Sequence, residues 1–108
     1  MENMTLRELC KELDISRRVV QRYEEKGIVV PSKNERGYLI YDKKTQDKIK
    51  WIRFYQQLGF EIREIKWLLD APRSELKEIL EKQVKKLKED KIQLDGLIEK
   101  VQKLIDEM

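Results

Sequence analysis

Four side chains that can hydrogen-bond to nucleic-acid bases and phosphates lie close together near the N-terminus. An arginine can donate two parallel hydrogen bonds to the O6 and N7 atoms of guanine, and a glutamine can pair in the same way with adenine. Arginine also binds phosphate oxygens as a forked donor. The group therefore favours recognition of base edges and of a phosphate backbone, and its members are Arg17, Arg18, Gln21 and Arg22.

Catalytic and metal-binding chemistry has little support. The chain contains no histidine and a single cysteine, Cys10, which excludes an internal disulfide and removes the commonest general base. We therefore expect no enzyme activity, no metal and no cofactor, and we place Cys10 in the core. No apolar run approaches the ~20 residues that span a bilayer. The N-terminus has no apolar signal core because charged residues interrupt it, so we expect a cytoplasmic protein without a membrane segment. These charged residues are Glu2, Arg7, Glu8, Lys11 and Glu12.

The charge of the chain is concentrated in one segment. The 108 residues include 24 basic and 21 acidic ones, for a net charge of +3. Residues 17–53 hold 11 basic and 5 acidic side chains, whereas residues 73–108 hold nine of each. A basic segment beside a neutral one is typical of a nucleic-acid-binding surface beside an assembly element. A solubilising surface would account for the charge equally well.

Apolar residues at helical spacing predict two short helices around the first basic group. Thr5 and Glu8 have the spacing of a capping box, and the predicted helix runs to Leu13. Ser16 is a good N-cap for a second helix, which ends at Gly27. Two helices joined by about three residues form a helix-turn-helix pattern, and the four side chains lie on its second helix. An ordinary helical hairpin would show the same pattern.

A β-hairpin is predicted directly after the second helix. Residues 28–30 and 38–41 are β-prone, and the polar stretch 32–37 between them is rich in turn-forming residues. The tip of the hairpin would carry Lys33 and Arg36. A basic tip suits a wing that straddles a phosphate strand or enters a minor groove.

Two further helices are expected before a break at Pro72. Asp42 caps the third, which covers residues 43–58, and a short fourth helix follows Phe60. Proline removes a backbone donor and restrains the residue before it, so we expect a winged helix-turn-helix domain over residues 1–72. The predicted inward face of the third helix is Ile49, Ile52, Phe54 and Tyr55, with Trp51 partly buried.

Residues 73–108 contain an apolar heptad repeat that predicts a coiled-coil helix. At 1.5 Å per residue the helix is roughly 50 Å long, too long to bury its apolar stripe on a domain of about 70 residues. Self-association is the simplest way to cover the stripe. The expected fold is therefore mostly α with a small β-hairpin wing: a winged helix-turn-helix domain followed by a long coiled-coil helix. The positions predicted to dimerise are Leu80, Val84, Leu87, Lys91, Leu94, Ile98, Val101 and Ile105.

Several short motifs recur in the order and spacing of one known family. They are Met4-Thr5-Leu6-Arg7-Glu8-Leu9, Ile15-Ser16-Arg17-Arg18, Tyr23-Glu24-Glu25-Lys26-Gly27-Ile28, Gly37-Tyr38-Leu39-Ile40-Tyr41 and Leu58-Gly59-Phe60. Through these motifs, residues 4–70 resemble the MerR family of bacterial transcriptional regulators. The resemblance implies a homodimer, paired through antiparallel helices over residues 73–108, that binds double-stranded DNA at a pseudo-palindromic operator. It also implies distortion of promoter DNA and contact with RNA polymerase there.

The resemblance also suggests where DNA would lie on the domain. The second helix would enter a major groove, with the wings on either side. We expect Arg18, together with Gln21 or Arg22, to reach base edges. Arg17 would contact a phosphate. The other residues expected to contact DNA are Thr5, Tyr23, Lys33, Arg36, Tyr38, Tyr41 and Arg63.

The chain departs from many family members at Gln21, Arg22 and Leu39, where they have arginine, tyrosine and arginine respectively. The family's base preferences are therefore not carried over. Metal-sensing members have cysteines around the dimer helix, and this chain has none there, so we do not expect thiol-based sensing. Two other functions stay open: a DNA-architectural or excisionase-like recombination accessory protein, and a protein-interaction module that uses the C-terminal helix.

Overall fold

The protein is mostly helical, with a small antiparallel sheet and a long C-terminal helix, which confirms the predicted fold class. The structure, a computed structural model, describes residues 3–108. The chain divides into two compact units, with the boundary between Leu69 and Asp70. The elements in chain order are β1 (Met4–Thr5), α1 (Leu6–Leu13), α2 (Arg17–Glu25), β2 (Ser32–Lys33), β3 (Leu39–Tyr41), α3 (Lys43–Gln57), α4 (Ile62–Leu68) and α5 (Arg73–Asp106).

Helices α1 and α2 begin where side chains satisfy their first amides, as predicted. The Thr5 hydroxyl accepts from the Glu8 amide at 3.2 Å, and a Glu8 carboxylate oxygen accepts from the Thr5 amide at 3.0 Å. Hydrogen bonds from the backbone and the side chain of Thr5 to the Glu8 carboxylate hold the pKa of Glu8 below its ordinary value. The Ser16 hydroxyl caps α2 by accepting from the Val19 amide at 3.2 Å. Beyond α2, Gly27 adopts a φ of 72°, a left-handed conformation that costs glycine little.

The wing differs from the predicted hairpin. Strand β3 pairs with β2 on one side and with β1 on the other, which makes a three-stranded sheet. The predicted strand over residues 28–30 is wrong: both Ile28 and Val29 direct their amides to the carbonyl of Tyr23, at 3.0 and 3.4 Å. Their backbone therefore terminates α2 instead of joining the sheet, and the pairing strand begins at Ser32.

The turn of the wing is held by one side chain. The Asn34 Oδ1 atom accepts from the amides of Arg36 and Tyr38, at 2.9 and 3.0 Å. The Asn34 carbonyl accepts from the amide of Gly37. The φ of Gly37 is 82°, which lies in the left-handed region that favours glycine. The turn is therefore fixed from inside, which leaves the long side chains at its tip pointing outward.

Helix α3 presents a narrower buried face than predicted. Asp42 caps it by accepting from the Thr45 amide at 2.8 Å. Ile49, Ile52 and Tyr55 are buried as expected, but Phe54 is 45% exposed. The prediction for Phe54 was wrong because two residues rotate a helix by about 200°, which turns it away from the face of Ile52. Trp51, which was expected to be partly buried, is 54% exposed.

The core of the first unit is formed by side chains from every helix up to α4 and from strand β3. Cys10 is half-buried beside it. Tyr23 and Tyr41 are among the largest fully buried side chains. The buried apolar residues are Leu9, Ile15, Val20, Tyr23, Ile28, Val29, Tyr41, Ile49, Ile52, Tyr55, Phe60, Ile65 and Leu68.

Helix α5 runs without interruption for 34 residues, and none of them is buried. The stripe of heptad positions is open to solvent over most of its length, from Val84 to Ile105. Lys91 lies on the same stripe and is also exposed. None of the helices within residues 3–108 combines the length and apolar character needed to cross a bilayer.

Candidate nucleic-acid interface

The exposed face of α2 carries the side chains that were predicted to reach base edges. Val20 and Tyr23 anchor the opposite face of the helix in the core. Because residues at i, i+3 and i+4 share one side of a helix, Arg18, Gln21 and Arg22 form one row along the outer face. Arg17 lies in the first turn beside that row. The structure therefore brings together Arg17, Arg18, Gln21 and Arg22, all of them exposed.

The wing supplies a second basic group. Lys33 and Arg36 are exposed on the turn that Asn34 holds in place. Tyr38 is also exposed, and its backbone amide is fixed by the same Asn34 side chain. All three predicted wing contacts at the tip are therefore available to a ligand.

Tyr23 and Tyr41 are not surface residues, which corrects their assignment as DNA contacts. Tyr23 is 1% exposed, and its hydroxyl donates to the Gln56 Oε1 atom on α3 at 2.6 Å. Burial raises the pKa of Tyr23, an effect that the charges of Arg53 and Arg22 oppose. The hydroxyl is engaged within the fold because tyrosine buries its ring and must still satisfy its polar end.

Tyr41 is buried still more completely. Its hydroxyl donates to the Glu24 Oε2 atom on α2 at 3.3 Å. Burial, together with the neighbouring Glu24 carboxylate, raises the pKa of Tyr41 to about 12. The carbonyl of Tyr41 accepts from the Gln46 side-chain amide at 2.8 Å. Tyr41 therefore positions α2 and α3 against the sheet and does not face a ligand.

Thr5 and Arg63 are accessible, but each has a partner within the fold. Both polar groups of Thr5 take part in the capping box, since its amide donates to the Glu8 carboxylate and its hydroxyl accepts from the Glu8 amide. The Arg63 Nε atom lies 3.2 Å from a carboxylate oxygen of Glu61. Both side chains of this pair are highly exposed, so the interaction is weak and a phosphate could replace Glu61.

A basic cleft lies between α2 and α4, and the sequence pattern predicts only part of its lining. The cleft has a volume of about 540 Å³. Lys26 and Lys66 were missed as members of it. The Lys66 Nζ atom donates to the Lys26 carbonyl, at the end of α2, at 3.4 Å. The cleft is lined by four cationic residues, Arg22, Lys26, Arg63 and Lys66, and by Gln56, Glu61 and Ile62.

The sequence carries a signal for these two lysines. Lys26 follows Arg22 by four residues, and Lys66 follows Arg63 by three, so each pair lies on one side of its helix. The two pairs lie close together because α4 packs near the end of α2. Spacing along the chain does not predict this packing.

The described residues hold no metal-binding cluster: no three histidine, cysteine, aspartate or glutamate side chains within residues 3–108 are grouped to hold an ion. The cationic groups of α2, of the wing and of the basic cleft form a surface suited to a polyanion. It combines side chains on α2 that can donate hydrogen bonds to base edges with cations that can bind phosphate.

Comparisons with known proteins agree with this geometry. Residues 4–72 match the family described as MerR HTH family regulatory protein, and residues 46–108 match the one described as MerR, DNA binding. The mercuric resistance operon regulatory protein of Bacillus cereus is 33% identical over 63 residues, which are 57% of this chain and 48% of that protein. This chain therefore spans about half the length of that curated relative.

Two solved structures share the fold. The N-terminal part of the Bacillus subtilis multidrug transporter activator, MtaN, has a TM-score of 0.76 at 23% identity and covers 94% of this chain and 97% of its own. HiNmlR, a MerR family regulator lacking the sensor domain and bound to promoter DNA, has a TM-score of 0.75 at 16% identity. Its match covers 90% of this chain and 79% of its own. Because the family match covers well over half of its residues, this chain belongs to the MerR family of helix-turn-helix regulatory proteins.

Proposed function

We propose that this chain is a sequence-specific, DNA-binding transcription regulator that acts as a homodimer on a pseudo-palindromic operator. The observation that carries the proposal is the exposed row of Arg18, Gln21 and Arg22 on α2, next to the basic cleft that Arg22 also lines. A row of base-edge donors beside phosphate-binding cations is the arrangement that reads sequence in a major groove. We place the protein in the cytoplasm, with a binding role and not a catalytic one.

The roles of the side chains follow from their positions. Arg18, with Gln21 or Arg22, reads base edges, and Arg17 contacts a phosphate near the start of α2. Lys33 and Arg36 bind the backbone or enter the minor groove next to the site, with Tyr38 beside them. Arg63 and the lysines of the basic cleft hold the phosphates on the other side of α2.

Dimerisation is supported by the apolar stripe of α5, which is exposed on one chain. An apolar stripe of this length in solvent is a common sign of a coiled-coil partner. A two-fold dimer presents two copies of α2 to two half-sites, so the operator mirrors the symmetry of the protein. By the family resemblance, bound promoter DNA is distorted so that RNA polymerase can engage it.

The salt dependence of DNA binding tests the proposal. Fluorescence anisotropy with an operator found by in vitro selection should show log K falling linearly with log salt, because each neutralised phosphate releases about 0.9 of a counterion. A scrambled duplex of equal length should bind more weakly, on the order of 10³-fold or more. Equal affinity for both duplexes would reject sequence-specific binding, and affinity that stays flat with salt would reject phosphate contact.

Removing one charge from each region gives a matched comparison. Arg36→Ala in the wing should reduce the salt slope, since it removes a phosphate contact from each protomer. Lys100→Ala removes the same charge from α5, outside the proposed surface, and should leave the slope unchanged. An equal effect of the two substitutions would show that only net charge matters.

A further inference from the structure

The charges beside the apolar stripe of α5 are arranged so that they can select one alignment of a second copy of this chain. In the heptad repeat the core positions a and d form the stripe, and positions e and g lie on its two edges. The e edge carries both signs of charge. In chain order its members are Glu81, Lys88, Asp95 and Gln102.

A parallel arrangement of two α5 helices is disfavoured by like charges. It places Lys91 at a core position directly against Lys91 of the partner subunit. In a parallel pair each g residue also faces the e residue five positions later on the partner, which brings Asp90 beside Asp95 of the partner subunit. Charges that must approach in this way oppose association, so the helices should run antiparallel.

In an antiparallel pair, each a residue packs against a d residue of the partner, and e edges face e edges. One alignment pairs all eight core positions between Leu80 and Ile105, because Leu80 then packs against Ile105 of the partner subunit. The same alignment places Lys88 opposite Asp95 of the partner subunit, and the two-fold axis repeats this pair. It therefore combines complete burial of the stripe with two opposite-charge contacts.

Alignments shifted by one heptad lose that complementarity. A shift in one direction brings Lys88 against Lys88 of the partner subunit, and Glu81 against Asp95 of the partner subunit. A shift in the other direction brings Asp95 against Asp95 of the partner subunit. A shift of two heptads packs Leu80 against Lys91 of the partner subunit and leaves Val101 and Ile105 outside the overlap.

The surroundings of Lys88 on its own helix support an external partner. Helical neighbours three and four residues away are Val84, Lys85, Lys91 and Ile92, none of which is acidic. Lys88 and Asp95 are both exposed on the single chain. Lys88 therefore has no acidic side chain within helical reach along α5, whereas an antiparallel second copy supplies one.

We propose that, within the antiparallel pair of α5 helices, Leu80 packs against Ile105 of the partner subunit and two symmetric Lys88–Asp95 pairs select this alignment. The inference rests on the homodimer of the proposed function and specifies its geometry. Such charged pairs choose between alignments that would bury similar apolar surface.

Charge reversal in the full chain tests the alignment, with dissociation constants of the dimers measured by analytical ultracentrifugation at low salt. Lys88→Glu and Asp95→Lys should each weaken the homodimer on the order of tenfold, since each turns two attractive pairs into repulsive ones. The double variant Lys88→Glu/Asp95→Lys should return to within about threefold of the original dimer, because the pairs are restored with their signs exchanged.

A mixture of the two single variants gives a second readout. A chain with two acidic residues at positions 88 and 95 should pair with a chain that has two lysines there, so equimolar mixing should yield mostly heterodimer.

The controls Lys82→Glu and Glu89→Lys change the same charges at outward-facing f positions. Glu89→Lys is closely matched to Asp95→Lys, since each removes an acidic residue four positions after a lysine. Neither control should alter dimerisation by more than about twofold.

The outcomes separate failure of the alignment from failure of the dimer. A tighter Asp95→Lys dimer would overturn the proposal, because the parallel pair and the alignment with Glu81 opposite Asp95 both predict that gain. A double variant as weak as the sum of its single changes would also overturn it. If the unaltered chain is monomeric at micromolar concentration, the homodimer of the proposed function fails as well.

Discussion

Removing the hydroxyl of Tyr23 tests whether this side chain stabilises the core or contacts DNA. Tyr23→Phe removes only the hydroxyl that donates to Gln56 Oε1 at 2.6 Å and leaves the buried ring in place. A neutral hydrogen bond contributes about 1 kcal/mol to the free energy of unfolding, within a range of about 0.5–1.5 kcal/mol. Because Gln56 is exposed and can turn to water, no buried group loses its partner. We expect a loss of about 1 kcal/mol in stability.

The assay combines denaturant unfolding with DNA binding at one fixed protein concentration, since dimerisation makes stability depend on concentration. For a small domain, a loss of about 1 kcal/mol lowers Tm by roughly 4–8 °C. Operator affinity should change less than about twofold. Tyr38→Phe is the matched control for stability, because Tyr38 is 61% exposed on the wing and its hydroxyl should not affect unfolding.

A double-mutant cycle with Gln56→Ala assigns the effect to the contact itself. If the hydroxyl stabilises the fold through Gln56, the two substitutions should be non-additive by about 1 kcal/mol. A core role for the Tyr23 hydroxyl is excluded if Tyr23→Phe leaves stability unchanged and weakens operator binding on the order of tenfold. That result would mean that the hydroxyl donates to a phosphate, where a charged acceptor is worth about 1.5–3 kcal/mol.

Three other predictions concern the recognition row, the basic cleft and a helix cap. Arg18→Ala should weaken operator binding by about 1–3 kcal/mol and relax the preference at one base pair of each half-site, which repeated in vitro selection would detect. Lys66→Ala should instead weaken all duplexes alike and lower the salt slope by about one for each protomer, and a changed base preference would contradict its role as a phosphate contact. Hydrogen bonds from the side chain and backbone of Thr45 hold the pKa of Asp42 below its ordinary value of 3.8, so this stabilisation is present above that pH and is lost as the pH falls through the lower folded value. Asp42→Asn keeps a capping side chain but cannot titrate, so acid unfolding curves should show a smaller loss of stability with falling pH, and an unchanged pH dependence would count against the cap.

The sequence predicted the elements whose signals are local. Thr5, Ser16 and Asp42 each cap the helix that their spacing indicates, because a cap needs only a side-chain oxygen and an amide three residues later. The exposed row on α2 was predicted for the same reason, since helical periodicity alone decides which residues share a face. The heptad positions of α5 also lie on one exposed stripe.

The errors arose where tertiary contacts override local preference. Ile28 and Val29 are β-prone, yet the Tyr23 carbonyl at the end of α2 holds both of their amides. Residues 4–5 form a strand only because β3 is beside them, and no pattern of two residues could have shown this. Tyr23 and Tyr41 have the same hydroxyl as the exposed Tyr38, but their partners lie 33 and 17 residues away in sequence. The cleft that contains Lys66 has the same origin, since it joins residues 40 positions apart.

In the proposed dimer, two copies of α2 read two half-sites related by a two-fold axis. Guanine methylation interference on a selected operator tests it most directly, because the N7 atom lies in the major groove, where Arg18 is expected to bind. We expect two symmetric groups of interfering guanines, whose spacing follows the helical repeat of DNA at about 10–10.5 base pairs or a multiple of it. A single group of interfering guanines, or interference spread evenly along the duplex, would rule out reading by a two-fold pair of α2 helices.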